Sequence, residues 1–86
     1  MRIKIPYMLR QQTEGIETVE VPGKTVRECL TALKKKYPSI VSHLFDANGN
    51  LLKHFNLFVN NKNISNLDLE VRDENILFIL VTIDGG

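Results

Sequence analysis

The feature that most constrains the fold is the run from Ile76 to Ile83, which is almost wholly apolar and is followed only by Asp84, Gly85 and Gly86. This run is far shorter than the roughly 20 residues that cross a bilayer. A short apolar run of this kind is typical of a strand that has neighbours on both sides. We therefore expect this segment in the middle of a sheet, with the preceding residues supplying the other strands.

Alternating apolar and polar residues predict a first strand at the start of the chain. Its apolar positions recur with a period of two, as expected when one face of a strand lies on a core: Ile3, Ile5, Tyr7 and Leu9. The polar stretch 10–15 is expected to turn the chain back. Residues 18–21 alternate again until Pro22-Gly23 stops them, so these segments together predict a β-hairpin.

A helix is predicted next. Thr25 and Glu28 have the spacing of a capping box, in which the two side chains satisfy backbone N–H groups that a helix start leaves unpaired. Apolar residues then recur along one stripe: Val26, Leu30, Leu33 and Tyr37. Because Pro38 disfavours helical geometry at the residue before it, the helix is expected to run over 26–37.

The second half of the chain contains shorter elements. Residues 40–45 are expected to add one helical turn, and 46–50 have the composition of a loop. A third strand at 55–59, a tight turn at Asn60-Asn61 and a short edge pairing at Ile64 should follow. The element order predicts an α+β fold, a ubiquitin-like β-grasp, with a mixed sheet of four to five strands and one main helix packed across it.

Length and charge limit the possible functions. The 86 residues have room for one domain with one modest core, so we expect a single domain, 1–86, with a flexible tail at 84–86. The formal charge of +1 gives no strong field toward nucleic acid or membrane, and neither is expected as a partner. A single cysteine, Cys29, and a start without a secretion signal predict a cytoplasmic protein.

No cluster of side chains predicts catalysis or metal binding. His43 and His54 lack a ligand-like spacing, and Cys29 has no recognisable base in the sequence. The stretch 46–57 begins like a calcium loop but lacks the glycine at its sixth position and the glutamate at its twelfth. We therefore expect no bound metal and no independent enzyme.

The whole chain resembles the MoaD/ThiS-type sulfur carriers, which include the small subunit of molybdopterin synthase and the thiamine-pathway carrier. The resemblance rests on the first strand, the helix, Phe58-Val59-Asn60-Asn61, the acidic turn Asp73-Glu74 and the terminal Gly85-Gly86. The final strand lacks the prolines that the family often has near its end. Since other pathways use similar carriers, the pathway stays open, with molybdopterin synthesis favoured.

The resemblance implies a role for the C-terminal carboxylate. A ubiquitin-activating-like enzyme would use ATP to adenylate Gly86, and a sulfur donor would convert the adenylate to a thiocarboxylate. The acceptor would be an enzyme such as the large subunit of molybdopterin synthase. Gly85 and Gly86 have no side chains, so they can thread into a narrow partner active site. The chain would be a carrier or cosubstrate that keeps no cofactor bound.

Two other functions stay open. Gly86 could be joined to lysine amines, as in a ubiquitin-like modifier, or the domain could be a noncovalent binding module with an incidental tail. Phe58 is expected on the sheet face that the helix does not cover. There it would either contribute to an exposed apolar docking patch or pack under the 46–54 loop.

Overall fold

The computed structural model describes residues 1–81, which form a five-stranded mixed sheet with one main helix. The strands are β1 Arg2–Lys4, β2 Thr18–Glu20, β3 Phe55–Val59, β4 Lys62–Ile64 and β5 Ile76–Val81. The helices are α1 Val26–Lys36 and α2 Val41–Leu44. The strand order across the sheet is β2-β1-β5-β3-β4. The predicted sheet and helix are therefore both present.

Strand β5 occupies the middle of the sheet, as its apolar sequence predicts. It pairs in parallel with β1 and antiparallel with β3. Leu77 and Ile79 are buried because alternate side chains of the strand point into the core. The described part of the strand ends at Val81. Residues 82–83, which were also predicted to belong to this strand, lie outside the described residues.

Helix α1 begins at the predicted capping box. Thr25 Oγ1 accepts a hydrogen bond from the Glu28 N–H at 3.2 Å, and the Glu28 carboxylate accepts one from the Lys24 N–H at 3.0 Å. The helix ends at Lys36, and Tyr37 is its C-terminal cap, so the predicted boundary is correct to one residue. Its buried stripe faces the core: Val26, Cys29, Leu30 and Leu33.

The segment between β4 and β5 supports the start of α1. The N–H groups of Val26 and Arg27, which have no acceptor within the first helical turn, donate to the carbonyls of Leu69 and Leu67 at 3.1 and 2.7 Å. Arg27 Nε also lies 2.9 Å from Asp68 Oδ1. The chain is thus attached to the helix before it returns to the sheet as β5.

The first strand is shorter than the alternation predicts. Strand β1 ends at Lys4, and Tyr7–Thr13 forms a 3₁₀ helix, so the prediction that Tyr7 and Leu9 continue the strand was wrong. Pro6 explains the difference, because its ring fixes φ, here at −66°, and its nitrogen has no N–H for the sheet ladder. Tyr7 is 84% exposed, whereas the 3₁₀ turn keeps Leu9 buried.

The buried side chain of Thr13 closes the 3₁₀ segment. Its hydroxyl lies 2.8 Å from the Ile16 carbonyl oxygen and 3.3 Å from that of Arg10. Glu14 and Gly15 then adopt φ values of 58° and 83° and reverse the chain toward β2. The turn predicted over 10–15 is present, although its first half is helical.

The remaining turns form as predicted. Asn60 and Asn61 have φ values of 54° and 65° and connect β3 to β4 as a tight hairpin. The helical turn expected over 40–45 consists of a 3₁₀ turn at Pro38–Ile40 followed by α2. Within residues 1–81, neither α1 nor α2 has the length and apolar character needed to cross a membrane.

Candidate functional site

The predicted working group, Gly85-Gly86, and the rest of the tail at 84–86 lie outside the described residues. The structure describes the chain up to Val81, which pairs with Phe55, the first residue of β3. Strand β5 has β1 paired with its first half, up to Phe78, and β3 paired with it as far as Val81. The surfaces around Val81 are therefore the part of the candidate site that can be described.

Apolar side chains lie together on the sheet face that points away from the core. In the β3–β5 register Phe58 lies opposite Phe78, and Asn56 lies opposite Leu80, so all four share that face. Phe78 is 37% exposed and Leu80 is 44% exposed, while Phe58 is half-buried. We call Phe58, Phe78 and Leu80 the apolar patch.

Phe58 was singled out from the sequence, whereas its two neighbours in the apolar patch were not. A central strand is apolar on both faces, and only its register with β3 shows that Phe78 and Leu80 share the open face with Phe58. A docking role for Phe58 is not tested by this placement and stays a prediction.

A groove of about 340 Å³ lies beside the apolar patch, where β5 ends. Both apolar and charged side chains line it, among them Lys4, Pro6, Arg10, Glu17, Phe78 and Leu80. Val81 also lines the groove. The groove therefore connects the exposed part of β5 with the β1–β2 connection beside Val81.

The charged side chains of this groove form one ion-pair cluster. Glu17 Oε2 lies 3.1 Å from Lys4 Nζ and 3.5 Å from Arg10 Nη2. Arg10 Nε donates to the Ile5 carbonyl at 3.1 Å, and the guanidinium lies 5.6 Å from the centroid of the Tyr7 ring. The hydrogen bond from Lys4 and the charges of Lys4 and Arg10 hold the pKa of Glu17 below its ordinary value.

We call Lys4, Arg10 and Glu17 the charged cluster. Reasoning from the sequence missed it, because the register of the predicted hairpin, in which Lys4 pairs with Thr18, is needed to bring Glu17 beside Lys4. The 3₁₀ helix, which was also not predicted, brings Arg10 to the same carboxylate. The sequence signal for the cluster was the charge pattern around the predicted 10–15 turn, with Lys4 before it, Arg10 at its start and Glu17 after it.

The cysteine and the two histidines are not brought together. Cys29 is buried in α1, and burial raises the pKa of its thiol. His43 Nδ1 lies 3.1 Å from the Ser39 carbonyl oxygen, whereas the His54 ring packs on Phe55 at a centroid distance of 4.3 Å. Within the described range, no three His, Cys, Asp or Glu side chains are placed to hold a metal ion. The expected absence of a metal stays a prediction.

Similar proteins are found along almost the whole chain. The family model described as the ThiS family matches residues 3–86. The sulfur carrier protein CysO of Mycobacterium tuberculosis is 28% identical over 89 aligned residues, which cover 98% of this chain and 96% of the relative.

Solved structures show the same fold. A chain in the crystal structure of the Amycolatopsis orientalis BexX/CysO complex matches with a TM-score of 0.84 and 31% identity, covering 99% of this chain and 98% of that chain. SAMP1 from Haloferax volcanii, a small archaeal modifier protein, matches with a TM-score of 0.79 and 26% identity, covering 100% and 98%. These similarities confirm the predicted β-grasp fold, and the first shows a similar carrier in a complex with another protein.

Proposed function

The chain belongs to the ThiS family of sulfur carriers, and on that basis we propose that the Gly86 carboxylate is the group on which it carries sulfur. The observation that supports this most is the family match over residues 3–86, which includes Gly85 and Gly86. The sheet supports it further, because β5 is paired with β3 up to Val81 and is thus held in place five residues before Gly86.

The proposed chemistry has two steps. A carboxylate oxygen of Gly86 attacks the α-phosphorus of ATP held by a ubiquitin-activating-like partner, and pyrophosphate leaves. A hydrosulfide equivalent from a sulfur donor then attacks the acyl carbon of Gly86, AMP leaves, and a thiocarboxylate remains. ATP is bound by the partner, so this chain needs no resident cofactor and supplies no catalytic side chain. In this proposal it acts as a cytoplasmic carrier and not as an enzyme.

The number of residues between the end of β5 and Gly86 limits where the partner can perform this chemistry. Gly86 is five residues beyond Val81, the last described residue of β5. Five extended residues span at most about 17 Å. The adenylating centre of the partner must therefore lie within that distance of the place where the end of β5 docks.

The apolar patch is the surface that we propose for partner docking. Phe58, Phe78 and Leu80 present contiguous apolar area on the open sheet face, next to the end of β5. In this proposal Leu80→Asp and Phe58→Asp raise the KM for the carrier in the partner reaction. Leu69→Asp is a matched control for Leu80→Asp, because Leu69 is comparably exposed and lies on the segment that contacts α1.

The acceptor pathway is argued from the sequence resemblance and from the relatives of the chain. Molybdopterin synthesis, with the large synthase subunit as acceptor, is the pathway that the sequence resemblance favoured. The relatives found by comparison include CysO sulfur carriers, which support sulfur carriage but do not support molybdopterin in particular. We therefore propose sulfur transfer to an acceptor enzyme as the function, with molybdopterin synthase as one candidate acceptor.

Pyrophosphate exchange tests the first step. The wild-type chain, mixed with ATP and the adenylating enzyme purified from the same host, is expected to drive incorporation of labelled pyrophosphate into ATP. A variant lacking Gly86 should fold normally by circular dichroism and give no exchange. Exchange that never occurs with the wild type would favour the noncovalent binding module, and exchange that persists without Gly86 would contradict Gly86 as the required group.

A second function is supported by the likeness to SAMP1, which is described as a small archaeal modifier protein. The same adenylated Gly86 can be captured by a lysine amine, with AMP leaving and an isopeptide bond forming. Mass spectrometry of host proteins for peptides carrying a Gly86-linked lysine tests this function. Their detection would establish conjugation, and their absence under conditions that give full activation would favour sulfur carriage alone.

A further inference from the structure

The charged cluster has an excess of positive charge beside Val81, the last described residue of β5. Two cations, Lys4 and Arg10, face the single carboxylate of Glu17. All three side chains line the groove beside Val81. A further carboxylate placed there would balance the charges of the cluster.

Arg10 is held in place before any partner arrives. Its Nε–H donates to the Ile5 carbonyl, one Nη group faces Glu17, and its guanidinium lies over the Tyr7 ring. A guanidinium carries a fork of N–H donors that matches a carboxylate, and these contacts use only part of that fork. Because the side chain is already ordered, little rotamer entropy is lost when it binds an anion.

The rest of the groove is suited to an apolar neighbour of that anion. Pro6, Phe78 and Leu80 line it together with the charged cluster, and Phe78 and Leu80 also belong to the apolar patch. A ligand that places an apolar side chain against these residues would bring an adjacent carboxylate to Arg10.

We propose that this groove receives an acidic, apolar segment of the adenylating partner, and that Arg10 binds its carboxylate. The inference rests on the proposed function, since the partner is the enzyme that activates Gly86. Charge complementarity identifies the segment: a positive cluster selects Asp or Glu, and the apolar lining selects a large aliphatic or aromatic neighbour. Glu17 occupies part of the site in the free carrier and competes with the incoming carboxylate.

Opposite effects of two charge-removing variants test this proposal. In the pyrophosphate-exchange assay with the host adenylating enzyme, Arg10→Gln is expected to raise the KM for the carrier about tenfold or more, with kcat unchanged, because a charge-assisted bond is lost equally in ground and transition states. Glu17→Gln is expected to lower the KM, because Lys4 and Arg10 are then both free for the partner.

Arg27→Gln is the matched control. It removes the same charge from an exposed ion pair with Asp68 at the start of α1, and its KM should stay within about twofold of wild type. A merely structural role for the charged cluster would make Arg10→Gln and Glu17→Gln act in the same direction. That result, or equal KM values for Arg10→Gln and Arg27→Gln, would overturn the proposal.

Two further readouts separate the possible occupants. Sedimentation equilibrium that shows wild-type dimers lost in Arg10→Gln would assign the groove to a second copy and overturn the proposal. An Arg10 Nε NMR signal that shifts when residues 82–86 are deleted would assign the groove to the chain's own tail, with the same consequence. If the wild-type chain gives no exchange at all, the proposed function fails; a failure of the Arg10 effect alone leaves the proposed function intact.

Discussion

Substituting Gly23 by alanine should destabilise the fold more than substitution of another positive-φ glycine. Gly23 has φ of +145°, and an added Cβ would lie 2.7 Å from Cys29 Sγ and 2.8 Å from Cys29 N. The carbonyl carbon of Glu28 would be 3.1 Å away. Two of these three atoms belong to the backbone of α1, so the clash cannot be relieved by a side-chain rotation alone.

The size of the effect follows from two contributions. Strain at the positive φ costs about 1 kcal/mol or more, and overpacking against the helix adds about 1–3 kcal/mol. We therefore expect Gly23→Ala to lower the free energy of unfolding by about 3 kcal/mol. Gly49→Ala is the matched control, because Gly49 has φ of +84° and nothing within 4 Å of the added Cβ. Backbone strain is the one contribution at Gly49, so we expect Gly49→Ala to lower the free energy of unfolding by about 1 kcal/mol.

Urea denaturation and thermal melting measure this difference. In a domain of this size, each kcal/mol lowers the Tm by about 4–8 °C, so Gly23→Ala should melt about 12–24 °C below wild type. Adding Cys29→Ala should restore only part of the loss, because the contact with Cys29 N remains. A Gly23→Ala variant no less stable than Gly49→Ala would refute the close approach of Gly23 to α1.

Two other predictions concern side chains around the first turn and the start of α1. Thr13→Val removes the hydroxyl that donates to the Ile16 carbonyl just after the 3₁₀ helix, and it should lower the free energy of unfolding by about 1–2 kcal/mol in urea denaturation. The exposed control Thr31→Val should lower it less. Equal losses for the two variants would contradict the role of Thr13. The hydrogen bond and charge of Arg27 lower the pKa of Asp68 from its ordinary value, so this stabilisation exists above the ordinary pKa and disappears as the pH falls through the lowered one. Arg27→Gln should therefore lower stability at neutral pH and match wild type in acid, whereas a pH-independent difference would contradict the ion pair.

Local patterns in the sequence were enough to predict most of the fold. The capping box at Thr25, the apolar stripe of α1 and the Asn60-Asn61 turn depend on neighbouring residues, and each forms as predicted. The apolar character of Ile76–Val81 was enough to place β5 in the middle of the sheet. The alternation at the N-terminus led to the wrong prediction of a longer first strand. The period of two continues through Pro6, but Pro6 cannot donate a hydrogen bond to a sheet ladder.

The candidate site was less predictable because it depends on contacts between distant segments. Phe58 could be assigned to the open face, but the register with β5 was needed to add Phe78 and Leu80. The charged cluster joins residues from β1, the 3₁₀ helix and the approach to β2. The registers between these strands are not encoded in a local spacing, so the sequence predicted a role for Gly86 but not the surfaces that lie beside Val81.

Whether Gly86 carries sulfur can be read from the intact mass of the chain after purification from its native host. We expect a mass gain equal to replacement of one oxygen by sulfur, located at Gly86 by fragmentation and absent from a Gly86-deleted control. Alkylation should add the mass of one alkyl group at the same residue, because the thiocarboxylate sulfur becomes a thioester. Fragmentation also separates this gain from oxidation of Met1, Met8 or Cys29. An unmodified Gly86 that forms no adenylate with ATP and the host's activating enzyme would contradict sulfur carriage by Gly86.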